Sequence, residues 1–323
     1  MSIKPAFCMP EAAQTKPNLL DSIRVEFPVF WRGMPDKGLF FALLAAWLAL
    51  FQFLGNSTFG YVDTPSLLQW MYAAYNQPDS EDAHGNLIPF VVLGLFWWKR
   101  EALAGVAKRT WWPGLLGVAL ALALHLLGYL IQQPRVSIIA FFTGVYALLG
   151  AVWGWRFAVT CFFPFVLFAF CLPLGTVLDP VTIPLRQIST DVAVFMAREV
   201  LGIGVIQTGV QIFDPKGAYS YEVAAACSGI RSLLTLTALT TIYGFVSFKT
   251  SWKRALMVVL AVPLALVGNV LRLVTIMVAA EAFGAEAGEF VHNWFGFVTF
   301  ALALAVMLGL GHLLREPEPE KAG

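Results

Sequence analysis

EVAAACSGIRSLLTLTALTTIYG, Glu222 to Gly244, is an apolar run that carries a thiol and a guanidinium. Cys227 stands just inside its start, with Ser228 and Gly229 beside it and Arg231 one helical turn deeper. About twenty mostly apolar residues are enough to cross the hydrocarbon of a bilayer. Whether this stretch does so is decided by the rest of the chain.

The 323 residues are 59% hydrophobic and 13% charged, with a mean hydropathy of +0.73. A soluble domain is nearer half apolar and a quarter charged. The fold class is therefore an all-α polytopic membrane protein, with the lipid bilayer as its first partner. A net charge of +1 gives no sign of a nucleic-acid or acidic partner. Spans are expected at about 38–55, 86–98, 112–131, 136–155, 157–178, 225–247, 255–278 and 293–314. The second is short, and little more than Arg156 separates the fourth from the fifth. The domain organisation follows: a cytoplasmic segment at 1–37, the transmembrane domain at 38–314 and a disordered polar tail at 315–323. Residues 1–37 lack the apolar core and cleavage site of a signal peptide, so the first span is expected to act as an uncleaved anchor.

Lys and Arg in short loops are retained on the cytoplasmic side. With both ends inside, the inner segments hold Lys4, Lys16, Arg24, Arg32, Lys37, Lys99, Arg100, Lys108, Arg109, Arg156, Lys249, Lys253, Arg254, Arg315 and Lys321. The outer segments hold only Arg135, Arg186, Arg198 and Lys216, three of them in one long loop. Arg231 and Arg272 remain, the only formal charges within the expected spans. A charge at membrane depth costs at least about 2.5–3.5 kcal/mol and marks a functional position unless it snorkels to an interface.

The outer loop at 179–224 is too long to be a mere connection. Leu185, Ile188, Val192 and Phe195 recur at helical spacing and predict an amphipathic helix on the outer leaflet. Two extended runs around Asp214-Pro215-Lys216-Gly217 predict a hairpin over 205–223, leading straight into Cys227. Trp97, Trp98, Trp111, Trp112 and Trp294 sit at expected span ends, as interfacial anchors do. Cys161 and Cys171 read as small buried hydrophobes, Cys8 as an inert residue of the polar N-terminal region. The four cysteines have neither zinc-site spacing nor the density of a disulfide scaffold, and no metal or cofactor is expected.

This topology puts Cys227, Arg272 and His292 at one membrane depth, near the outer face. A thiol is nucleophilic as thiolate, and a nearby cation lowers its pKa. Histidine can take the proton and return it to a leaving amine. A guanidinium can hold a carbonyl or carboxylate, or stabilise an oxyanion. The set points to acyl transfer through a thioester. Arg231, at i+4 from Cys227, shares its helix face and either holds down the thiol pKa or packs beneath the site. His84 is a secondary, outer-facing candidate; His125 is expected to be hydrogen-bonded within the bundle, and His312 lies at the inner end.

"AACSGIRSLL" at Ala225–Leu234, "GNVLRLVTI" at Gly268–Ile276 and "HNWFGF" from His292 resemble the exosortase/archaeosortase family. "DAHGNLIPF" at Asp82–Phe90 is similar to the His-Gly…Ile-Pro stretch of that family's early outer loop. The resemblance implies a membrane cysteine protease or transpeptidase with Cys227 as nucleophile, Arg272 as essential arginine and His292 as third member. Histidine rather than arginine at the third place sides with the exosortase branch. Asn269, of the Asn-x-x-Arg motif, and Ser228, beside the thiol, join Arg231 and His84 as secondary site residues. The implied partners are exported proteins ending in a short motif such as PEP, a transmembrane helix and an Arg cluster. The implied location is the bacterial inner membrane, with the site at the periplasmic face. Two other readings share these residues: a non-enzymatic component of exopolysaccharide export, and a cysteine-dependent lipid acyltransferase.

Overall fold

With no water in the hydrocarbon to bond the backbone, an apolar run must close its hydrogen bonds internally, and here such runs become helices. The computed structural model describes residues 19–57, 63–77, 80–215, 217, 220–222 and 230–316. The helices in chain order are α1 (Leu19–Arg32), α2 (Lys37–Leu54), α3 (Leu67–Tyr75), α4 (Ile88–Trp98), α5 (Arg100–Gly105), α6 (Gly114–Leu130) and α7 (Pro134–Trp153). They continue as α8 (Trp155–Val166), α9 (Asp179–Phe195), α10 (Ile230–Ser247), α11 (Ser251–Phe283) and α12 (Ala285–Leu313). Among the described residues α2, α7, α11 and α12 are long and apolar enough to cross a membrane, while α4, α6, α8 and α10 are shorter apolar helices. All eight fall where the sequence places spans.

The first half is built around α7, the most enclosed of the four long helices. Small residues let its neighbours close in. A Cβ on Gly114 would lie 2.7 Å from the Ala151 backbone, and one on Gly128 would lie 2.8 Å from Ser137 Oγ, so α6 lies antiparallel on α7. Gly144 leaves space for the indole of Trp47, whose Nε1 donates to Phe141 O at 3.0 Å and seats α2. His125 Nδ1 lies 3.1 Å from Ser137 Oγ in the same buried seam, as expected of a structural histidine. Cys161 and Cys171 are buried, the former against an aromatic-rich core. In the second half α10, α11 and α12 form an antiparallel trio sealed by Leu236, Ala261, Ala265 and Ala303. Phe163 of α8 stacks on Phe245 of α10 at 4.1 Å and joins the halves.

The cationic loops gather at one end of the bundle. Trp153 Nε1 donates to Pro35 O at 2.9 Å, Arg109 N to Trp153 O at 3.3 Å, and Arg100 pairs with Glu26 of α1. Glu316 accepts from the backbone N–H groups of Lys249 and Thr250, each at 3.0 Å, which draws the end of α12 to the α10–α11 turn. Residues 315–316 are therefore tied down, although the sequence reads the tail as disordered from 315; the rest of it lies outside the described residues.

Four further differences from the sequence reading have physical causes. The segment at 1–37 contains a helix, α1, whose Val25, Phe27, Val29 and Trp31 are exposed in the manner of an interfacial helix. The fifth span is broken: α8 gives way to a 3₁₀ turn at Leu167–Cys171 and an extended Leu172, just ahead of Pro173. Pro disfavours the helical conformation in the residue before it. Next, α12 begins at Ala285 rather than 293, so His292 sits two turns inside the helix instead of ahead of it. Finally, α9 packs on α11 through Ala193 and Val194, with Thr182, Ser189 and Thr190 also buried; of the predicted stripe Ile188, Val192 and Phe195 are exposed and Leu185 is half-buried.

After α9 the chain forms β1 (Ile206–Thr208), β2 (Gln211–Phe213) and β3 (Ser220–Glu222), an antiparallel sheet in the order β1-β2-β3. The predicted turn is the β2–β3 connection, closed by Gly217 N donating to Asp214 O at 3.0 Å. β1 extends the expected hairpin by one strand. Ile212 is buried with Val205, Ala193, Val270, Leu273 and Met277, which ties sheet and α9 to the C-terminal half of α11.

Candidate active site

The C-terminal half of α11 carries Gly268, Asn269 and Arg272 toward α12, whose facing residues follow the 3.6-residue period: His292, Gly296, Thr299 and Ala303. Arg272 Nη2 donates to the backbone carbonyl of His292 at 2.6 Å. Gly296 lies directly against the guanidinium. A Cβ at that position would stand 3.4 Å from Arg272 Cζ and Nη1, so the guanidinium lies flat against bare backbone. Two residues twenty positions apart, singled out by the sequence separately, are joined.

Below them a narrow cavity of about 20 Å³ lies between α10, α11 and α12. Ser232, Asn269, Arg272 and Thr299 are its polar lining; Leu236, Leu264, Ala265, Phe300 and Ala303 supply apolar wall. Asn269 is buried. Asn269 Nδ2 and Arg272 Nε are both buried and have no hydrogen-bond partner among the described residues. Helix rise places the site in depth: Arg272 is 18 residues beyond Arg254, roughly 27 Å along the axis. That is close to the ~30 Å thickness of the hydrocarbon. With Arg254 at one interface, Arg272 is near the other.

Cys227 and Ser228 lie outside the described residues, as does the side chain of Arg231, whose backbone opens α10. Covalent reach still bounds the nucleophile candidate. Ser232 lines the cavity, and the Cα of Cys227, five residues upstream, lies within about 18 Å of its Cα.

His84 belongs to a different group. It is buried in a 3₁₀ turn at Ala83–Asn86, facing Asp82 and the backbone of Glu81 and Phe170. Burial holds its imidazole below the ordinary histidine value, against the opposing pull of Asp82. The Asp82 carboxylate accepts from Leu174 N and Gly175 N, both at 3.2 Å, and burial raises its pKa. Arg186 of α9 pairs with Glu81 at 3.1 Å. This cluster clamps the 80–87 loop to the broken fifth span and to α9.

Ser232, Gly296 and Thr299 went unread in the sequence. Their signal was present as small residues, Ser232 next to Arg231 and Gly296 and Thr299 at helical spacing from His292, but small residues are common in membrane helices and single out nothing alone.

The fold defines a class: a multi-pass helical membrane protein, in which the Arg272 guanidinium of α11 bonds the backbone of α12. The chain belongs to the transmembrane exosortase family, whose family model matches residues 70–309, from α3 into α12. No curated protein and no solved structure is significantly similar to it.

Proposed function

We propose that the protein is a cysteine protease or transpeptidase that cleaves the C-terminal sorting segment of exported proteins at the outer face of the inner membrane. The observation that carries this reading is the junction of Arg272 with His292 at about one hydrocarbon thickness from the cationic end, next to the helix that Cys227 precedes.

In the proposed reaction His292 takes the thiol proton, and the Cys227 sulfur attacks the scissile carbonyl carbon. A C–S bond forms while the carbonyl π pair moves onto oxygen. On collapse that pair returns and the C–N bond breaks. The amine of the released helix segment leaves with the proton from His292. Water or an amine acceptor then resolves the thioester, giving hydrolysis or transfer. The scissile bond of such a substrate lies just outside its own helix, which explains a thiol at the membrane edge. β3 is an edge strand five residues ahead of Cys227. It offers an extended substrate a strand to pair with.

The test compares the processed fraction of a tagged protein ending in a motif–helix–Arg segment, at matched enzyme level. Cys227→Ala is expected to leave this reporter full length, whereas Cys161→Ala and Cys171→Ala retain processing. His292→Ala is expected to lose about 10²–10⁴-fold, the range for a general acid–base group. Normal processing by Cys227→Ala would end the thioester reading and return the arginines to a transport or packing role.

A further inference from the structure

The stacked rings of Phe163 and Phe245, 12° apart in plane, carry a cation each at the seam between the two halves. Lys99 Nζ is 6.0 Å from the Phe163 centroid, and Arg254 Cζ is 4.8 Å from that of Phe245. Each cation is anchored in its own half. Lys99 Nζ donates to Thr160 O of α8 at 3.0 Å, and Arg254 Nε donates to Phe248 O, just past α10, at 2.7 Å. The two charges feel one another. Burial holds the Lys99 ammonium below the ordinary lysine value, Cys161 pulls the other way, and Arg254 adds to the lowering. Neighbouring cations have carboxylates: Arg100 pairs with Glu26, and Lys253 lies 3.9 Å from Glu316. Among the described residues neither Lys99 nor Arg254 pairs with one.

Like charges that share a seam without a counter-charge repel, and an anion between them reverses the sign of that energy. Donors remain for it. An ammonium has three N–H groups and a guanidinium five. Both residues are only half-buried, and the Arg254 Nη groups are accessible. Exposed Trp98, one residue before Lys99, and exposed Trp252, two before Arg254, mark this level as a membrane–water interface. Phospholipid headgroups lie at the same level.

We infer that the seam binds an anionic phospholipid, whose phosphate bridges Lys99 and Arg254 and ties the two halves together. Basic pockets between membrane helices at an interface are suited to such headgroups. The site requires only that this end of the bundle lies at an interface, on whichever side of the membrane. It is independent of the chemistry at Arg272. The competing occupant is the chain's own end: Glu318 and Glu320, outside the described residues, follow Glu316, which is held at the α10–α11 turn. The tryptophan level favours the lipid.

The test titrates the full-length protein in detergent with phosphatidylglycerol, phosphatidylcholine or inorganic phosphate and reads the melting temperature. A ligand of the folded state raises it. Phosphatidylglycerol is expected to raise it saturably, phosphatidylcholine less, and inorganic phosphate at equal concentration not at all. Lys99→Met keeps the stem over Phe163, and Arg254→Gln acts in the other half. Each is expected to raise the phosphatidylglycerol concentration for half the effect about fivefold or more. Arg109→Gln removes an exposed cation from the same end and is expected to leave that concentration unchanged. If one seam variant fails to insert, the other carries the comparison. Native mass spectrometry is expected to show bound phosphatidylglycerol depleted in the seam variants and kept in Arg109→Gln. Equal responses to the two lipids, equal weakening by all three variants, or full replacement by inorganic phosphate would overturn the proposal. A lipid response that appears only after Glu318 and Glu320 are both replaced by Gln would assign the seam to the tail instead.

Discussion

Arg272 meets the cost of its charge in two ways. One arm bonds the His292 carbonyl, and the plane lies on Gly296. Both depend on the planar fork, which an ammonium lacks. Arg272→Lys is therefore expected to fail in processing although charge is conserved. Position 296 offers a graded test. Gly296→Ala adds a methyl at ordinary contact distance, 3.4 Å from the guanidinium, and is expected to process near the wild-type rate. Gly296→Val pushes branched carbons into the same space and displaces the fork; misplacement by about 1 Å costs on the order of 10²-fold. Equal rates for Ala and Val, measured as processed fraction over time, would show that the guanidinium is not held there. Arg272 was legible in the sequence because a lone charge in an apolar run has few innocent explanations. Gly296 was not, because its meaning is the arginine of another helix.

At the scale of elements, the sheet and α9 share a buried cluster with the C-terminal half of α11. If β3 pairs with substrate, shortening the Asp214–Gly217 turn that positions it is expected to impair processing while protein level stays intact. Normal processing by a variant lacking the whole sheet would refute that role. The clamp formed by the 80–87 loop carries a pH signature. Its folded environment favours neutral His84, whereas the unfolded chain takes up a proton below about pH 6.5. The unfolded state then binds more protons, so stability falls as pH drops through that value. Asp82, raised by burial, works in the opposite sense in the lower carboxylate range. The melting temperature is expected to drop between pH 7.5 and 5.5, and His84→Gln to flatten that slope; an unchanged slope would remove His84 as its cause. The hairpin turn was legible from Asp-Pro-Lys-Gly chemistry. The clamp was not, since it joins residues 80–87 to 170–175 and to α9 through tertiary contacts alone.

For the whole molecule, the expected inner cations among the described residues meet at one end of the bundle: the 32–37, 99–109 and 153–156 segments there, the 248–254 turn and the end of α12. We propose that this end faces the cytoplasm, with the 179–224 loop outside. Cysteines introduced at Lys216 and Lys321 are expected to label from opposite sides with a membrane-impermeant reagent. Labelling of both from one side would overturn the topology.

Composition and hydropathy alone determined the class of this protein and the places of its apolar helices, because the bilayer demands local hydrogen bonding and leaves little else to decide. They also isolated Arg272 and the thiol beside Arg231, since polar groups in apolar runs stand out without any partner in view. Tertiary structure alone decided what those residues do to one another. The bond from Arg272 to a backbone carbonyl on α12, the seat at Gly296 and the small cavity that Asn269 and Arg272 help to line all depend on how closely α10, α11 and α12 approach. That approach is set by small residues whose effect is spatial, and side-chain identity read along one chain does not contain it.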